Sequence, residues 1–117
     1  MLSSKNRIQK EYFKALTVKG RSFSSASFSA KIFFDEKTLA PMFSVVVAKK
    51  LEKSAVKRNG MKRRVYSLLR PYAKTGKKGL QCVIFLKKKV SKENLESLTL
   101  EIANLFERAN FAETRSV

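Results

Sequence analysis

Catalysis by side chains needs a base, an activated nucleophile or a set of metal ligands, and this sequence of 117 residues is poor in all three. It has no His and a single Cys. Cys82 lies in the apolar run Leu80 to Leu86, where a free thiol behaves as a small buried hydrophobe. No imidazole exists to activate it. The acidic residues form no set at metal-ligand spacing. Asp35 and Glu36 sit side by side in an expected loop, and Glu93, Glu96, Glu101 and Glu107 read as the polar face of a C-terminal helix. A lone cysteine excludes an internal disulfide and suits a reducing compartment.

The sequence is rich in positive charge instead. Lys and Arg number 26 against 9 Asp and Glu, a formal charge of +17. Like charge at this density repels itself and weakens the compact state. A polyanion relieves the repulsion and gains counterion release. Nucleic acid is therefore the first partner class to consider, with an anionic membrane surface second.

The charge is concentrated. Five of the ten residues from Ala55 to Arg64 are Lys or Arg, and none is acidic. On a helix of about 100° per residue, Val65, Leu68 and Leu69 fall within about 80° of Met61 and define an apolar stripe. Arg58 and Lys62 border that stripe on one flank, Lys57 and Arg64 on the other. Asn59, Arg63 and Arg70 project opposite, and Lys49, Lys50 and Lys53 extend the charge back toward the preceding strand. A merely solvated helix face would carry Glu at i−4 or i+4 to lower the repulsion. No acid occurs between Lys53 and Lys78. Asn59 and Gly60 are poor mid-helix residues. Such a conflict between local propensity and pattern marks functional sites. The Asn59 amide suits a phosphate, a 2′-OH or a base edge, or else caps a local kink. Composition does not separate DNA from RNA.

The elements that must hold this ridge follow from periodicity. Residues 1–7 are a polar, basic arm, and 112–117 are expected to be flexible. Ile8 to Lys19 reads as a helix closed by Gly20. From Arg21 to Phe34 the period becomes two, with Phe28, Ala30, Ile32 and Phe34 on one face and Ser27, Ser29 and Lys31 on the other. Met42 to Ala48 reads as a central strand. Ser54 is the expected cap of the basic helix, and Pro71 is expected to end it near Leu69 or Arg70. A basic turn follows at 73–79, then a buried strand from Leu80 to Leu86. Ser91 is expected to cap a last helix with Leu95, Leu98, Ile102, Leu105 and Phe106 on one stripe. The order read from the residues is helix, two or three strands, helix, strand, helix, a layered α/β domain taken as one over 1–117. The fold expected is an α/β (α+β) two-layer sandwich with a mixed four-stranded sheet and about three helices, αβββαβα. No apolar window reaches the ~18 residues of a spanning helix, and the first residues lack the apolar core of a secretory signal. A soluble, cytoplasmic protein is expected.

At the basic segment the chain resembles a known family, the protein subunit of bacterial ribonuclease P. Lys49-Lys50, Ala55-Val56, Arg58-Asn59 and Lys62-Arg63 match its signature at the same spacing. Phe13, Gly20, the element order and the length agree as well, and the resemblance covers residues 5 to 110. The sequence departs from the pattern at Gly60, where the family usually has the second arginine of Arg-Asn-Arg. It also departs near Thr17, where the family has a second aromatic, and near Ser29 and Lys31, where the family is more apolar.

The resemblance implies a left-handed βαβ crossover, against the general right-handed rule. It implies a protein that assists a catalytic RNA in removing the 5′ leader of precursor tRNA, an endonucleolytic phosphodiester hydrolysis with no active site on the protein. Lys49, Lys50, Lys53, Lys57, Arg58, Asn59, Lys62, Arg63 and Arg64 would meet the RNA subunit. Phe13, Thr17, Ser29 and Lys31 would line a leader cleft between the N-terminal helix and the sheet. Mg²⁺ would come with the RNA rather than the protein, and neither DNA nor membrane is an expected partner. Phe13 fits a stacking platform for a leader base or a core aromatic. Lys31 fits a phosphate contact or a solvated strand position. A small basic ribosomal or ribosome-assembly protein is the alternative reading.

Overall fold

In the computed structural model the described residues are 21–34, 41–75 and 79–115. They form strands β1 (Arg21–Ser24), β2 (Phe28–Phe34) and β3 (Met42–Val46), helix α1 (Ala55–Thr75), strand β4 (Leu80–Leu86), a 3₁₀ turn (Lys92–Asn94) and helix α2 (Leu95–Arg115). The helix expected over 8–19, with Phe13, Thr17 and Gly20, lies outside the described residues, as does the loop at 35–40.

The sheet order is β1-β2-β4-β3. β1 pairs antiparallel with β2, β2 antiparallel with β4, and β3 parallel with β4. The sheet is mixed and four-stranded, as the sequence leads one to expect. Parallel neighbours need a crossover, and α1 is that crossover between β3 and β4.

The period-two segment from Arg21 to Phe34 is a hairpin rather than one strand. Ser25, Ala26 and Ser27 break it, and the turn is closed by the Ser25 N–H donating to the Phe28 carbonyl at 2.8 Å. β4 is central, which its near-continuous apolar run anticipates. β3 is not central but an edge strand, and it ends at Val46. Its apolar residues reflect cover by α1 rather than a neighbour on each side. The Tyr66 hydroxyl accepts the Val45 N–H at 3.1 Å, so the helix occupies a backbone donor that a central strand would give to a partner.

Both helices pack on one sheet face. Phe28, Ala30, Ile32, Phe43, Val45, Cys82 and Ile84 are buried there against Met61, Val65 and Leu69 of α1 and Leu98, Ile102 and Leu105 of α2. Phe106 joins the layers, edge-on to Phe43 at 5.9 Å and stacked on Tyr72 at 4.4 Å. That packing explains why α1 runs through Pro71 to Thr75 instead of stopping before it. Proline in a helix costs about 3 kcal/mol, but Tyr72 and Ala73 beyond it pack against the core and offset the loss.

Capping follows the expected residues. Lys57 donates its N–H to the Ser54 hydroxyl at 3.3 Å, and Arg58 donates its own to the Ser54 carbonyl at 2.9 Å. Ser91 opens the 3₁₀ turn that leads directly into α2, its N–H donating to the Asn94 side chain at 2.9 Å. Gly79 takes φ 88°, a left-handed turn that suits glycine at the entry to β4.

Candidate nucleic-acid interface

The core stripe of α1 fixes where its charge goes. Met61, Val65 and Leu69 are buried, so the cations between them emerge along the helix flanks and crest. Lys57, Arg63 and Arg64 are exposed, and Arg58 and Lys62 are half-buried. Lys49, Lys50 and Lys53 are exposed in the loop that leads from β3 into α1. None of these residues forms a salt bridge with an acid among the described residues. Glu52 is the acid nearest the ridge, and it pairs with Lys89 at 3.1 Å. The Lys89 ammonium holds the Glu52 carboxyl below the usual carboxylate range.

Two of the guanidinium groups are partly used by the fold. Arg58 donates Nη1 to the carbonyls of Glu52 at 2.8 Å and Lys53 at 2.9 Å. Arg64 donates Nη1 to the Val90 carbonyl at 3.3 Å. A carbonyl satisfies a donor without cancelling its charge, so both groups remain cationic.

The flanks of α1 are concave. One groove, of about 540 Å³, runs between α1 and the outer edge of β3, lined by Ser44, Val56, Asn59, Lys62, Arg63 and Tyr66 among others. A second, of about 700 Å³, lies between α1 and the loop after β4, where Lys57, Gly60, Arg63, Arg64 and Lys89 line it. The helical wheel puts Lys62 on one flank and Lys57 with Arg64 on the other, and the grooves separate them in that way. Val56 is 77% exposed and lines both grooves. Ala55 and Val56 therefore belong to the surface, while Met61 alone of the three apolar residues in the basic segment enters the core. Lys89 was missed from sequence. The run of three lysines at 87–89, directly after an apolar strand, was the available signal.

The other sheet face carries the remaining described candidates. Ser29 and Lys31 alternate with the core residues of β2 and are half-buried there. Across from them Lys31 pairs in register with Val83, and Phe33 with Gln81. Val83 and Gln81 are fully buried, and the Gln81 side-chain amide and carbonyl have no hydrogen-bond partner among the described residues. Phe13 and Thr17 lie outside the described residues, so of the four leader candidates the structure describes Ser29 and Lys31.

Away from the ridge, α2 clamps the hairpin. The Glu101 carboxylate accepts from the hydroxyls of Ser25 and Ser27 and, at 2.8 Å, from the Ser27 N–H. Arg108 lies over the Phe23 ring at 5.7 Å and donates to the Ser24 carbonyl at 3.3 Å. Partial burial works to raise the Glu101 pKa, but the hydrogen bonds from Ser25 and Ser27 prevail, and the net shift is downward.

Among the described residues no three Asp, Glu or Cys side chains come together as metal ligands. Burial pushes the Cys82 thiol far up, so the thiolate needed for nucleophilic attack does not form. No helix among the described residues is long and apolar enough to cross a membrane.

Known proteins resemble this chain along most of its length. The family model for ribonuclease P matches residues 2–110. The ribonuclease P protein component of a Pseudanabaena species is 34% identical over 110 residues, covering 93% of this chain and 95% of its own. The solved ribonuclease P protein from Thermotoga maritima superposes with a TM-score of 0.72 at 23% identity, covering 87% of this chain and 96% of its own. That from Staphylococcus aureus gives 0.69 at 20%, covering 84% and 94%. At those identities the two structures establish a shared fold.

Proposed function

The chain belongs to the ribonuclease P protein family, and on that premise we propose that it binds a catalytic RNA subunit through α1 and helps it cleave the 5′ leader from precursor tRNA. Ribonuclease P is an endoribonuclease whose chemistry resides in its RNA. The protein's task is then to bring two polyanions together. Cations placed between ribozyme and substrate lower their mutual repulsion, and each phosphate neutralised releases counterions.

One observation carries this reading. Lys57, Lys62, Arg63 and Arg64 emerge from a helix whose opposite stripe is anchored in the core, and no acid of the described chain neutralises them. A folded protein that leaves such charge unpaired on a rigid element is built for a polyanion. The groove along β3 places Asn59, Lys62 and Arg63 side by side, a donor-rich surface suited to RNA phosphates and 2′-hydroxyls. The leader strand would run over the second sheet face, near Ser29 and Lys31, with Phe13 and Thr17 flanking it. Mg²⁺ would be held by the RNA and its substrate. A cytoplasmic setting fits such a partner.

The test is a leader-release assay with a bacterial ribonuclease P RNA and a precursor tRNA at low Mg²⁺. The chain is expected to stimulate cleavage, and to cleave nothing without the RNA. The double substitution Lys62→Ala with Arg63→Ala should weaken RNA binding and make its salt dependence shallower, by about 0.7–0.9 for each phosphate no longer neutralised. Absence of stimulation by the folded wild-type chain sinks this reading.

A further inference from the structure

We propose that α1 is a wedge between two separate segments of the RNA subunit's backbone, one in each flanking groove, rather than a helix laid along a single strand. The proposal rests on the RNA subunit being the partner of the ridge. It adds a second binding surface, built from Lys57, Gly60, Arg64 and Lys89.

The two grooves share only Val56 and Arg63. Val56 is an aliphatic side chain, 77% exposed, on the divide between them. A phosphodiester strand passing from one groove to the other would have to climb over the crest of the helix, where Arg63 is the one cation the grooves share and Val56 offers no charge. Two strands, each keeping to its own flank, leave Val56 to pack against sugar or base faces. The helix itself is about 10–12 Å wide with side chains, which keeps the two phosphate tracks apart.

The second groove has the chemistry of a phosphate track. Lys57, Arg63 and Arg64 approach it from α1 and Lys89 from the loop after β4, so cations face one another across it. Its one carboxylate, Glu52, is turned inward. The Glu52 side chain is 10% exposed while that of Lys89 is 65% exposed, so the ion pair steadies the ammonium at the mouth and keeps the acid beneath it. Arg64 is steadied in the same way by the Val90 carbonyl. On the α1 side lies Gly60, where an added Cβ would meet nothing within 4 Å. Packing does not require a glycine there, and in a helix glycine costs stability relative to alanine. What its missing side chain provides is bare helix backbone, against which a sugar-phosphate chain can approach closely.

The experiment compares wild type with Lys89→Ala, Gly60→Leu and Lys62→Ala, using a bacterial ribonuclease P RNA as probe. Hydroxyl-radical footprints and the salt dependence of Kd are read together with thermal melts. Wild type is expected to protect two RNA segments that are apart in sequence. Lys89→Ala should weaken one segment only and reduce the salt slope by about 0.7–0.9. Lys62→Ala should weaken only the other. Gly60→Leu changes no charge and improves helix propensity, so its melt should be equal or higher, yet it should lose the same segment as Lys89→Ala with about tenfold weaker binding. Unchanged affinity and footprint for both Lys89→Ala and Gly60→Leu overturns the proposal. So does one continuous segment weakened alike by Lys62→Ala and Lys89→Ala. Wild type that binds no RNA at all overturns instead the reading on which the proposal rests.

Discussion

The Arg58 guanidinium reaches back to the Glu52 carbonyl at 2.8 Å, closing the loop that carries Lys53 onto the first turn of α1. A second bond from the same nitrogen, to the Lys53 carbonyl at 2.9 Å, makes it a brace. A residue of the family's sequence signature thus holds the loop before α1 in place.

Arg58→Ala should therefore cost folding stability where its neighbour does not. Hydrogen bonds from a charged donor contribute about 1.5–3 kcal/mol when well shielded, and half-exposure reduces that to about 1 kcal/mol here. Lys62→Ala, a surface truncation outside any such bond among the described residues, should stay within about 0.5 kcal/mol. Urea unfolding of the two variants checks the contrast, and equal losses contradict the brace.

Tyr66→Phe tests how the sheet edge is closed. It leaves the Val45 N–H buried without its acceptor, at a cost of about 1–3 kcal/mol. The expected readout is a lower denaturation midpoint with an unchanged urea m-value, and faster amide exchange at Val45.

Gln81→Met should move stability the other way. The Gln81 carboxamide is fully buried and unpaired among the described residues, so it bears the desolvation of both polar atoms. Methionine fills a similar volume without that cost. A rise in thermal midpoint is expected, and a fall of several degrees shows that the amide has a bound partner in solution.

The clamp at Glu101 sets an acid limit. Its folded pKa lies below its ordinary value of 4.5, so its contribution is complete above about 4.5 and is lost as pH falls through the folded value. Glu101→Gln should lower stability at neutral pH and flatten the decline below pH 4.5. A pH series of urea midpoints on both proteins decides it. Identical slopes in the acid range mean that the carboxylate is not what ties hairpin to helix.

Much of this was legible in the sequence for local reasons. The stripe Met61, Val65, Leu69 at helical spacing determined which side of α1 is buried, and thereby that Lys57, Lys62, Arg63 and Arg64 emerge from the other sides. Ser54 and Ser91 marked the starts of α1 and of the turn into α2 because capping depends on the next three residues. The apolar run at 80–86 marked a strand covered on both faces. These are readings of period, propensity and charge, which the chain carries within one or two turns.

Tertiary structure decided what depends on distant partners. Apolar residues at 42–47 announced burial but not position, since cover by α1 leaves the same pattern as a neighbouring strand. β2 pairs with β4 and leaves β3 at the edge, a choice made by contacts some fifty residues apart. The helix passes Pro71 because Phe106, thirty-five residues later, stacks on Tyr72. The second groove exists only because Lys89 is brought beside Gly60 and Arg64. A sequence states which side chains seek an apolar, polar or charged neighbour, and only the closed chain fixes which neighbour each one meets.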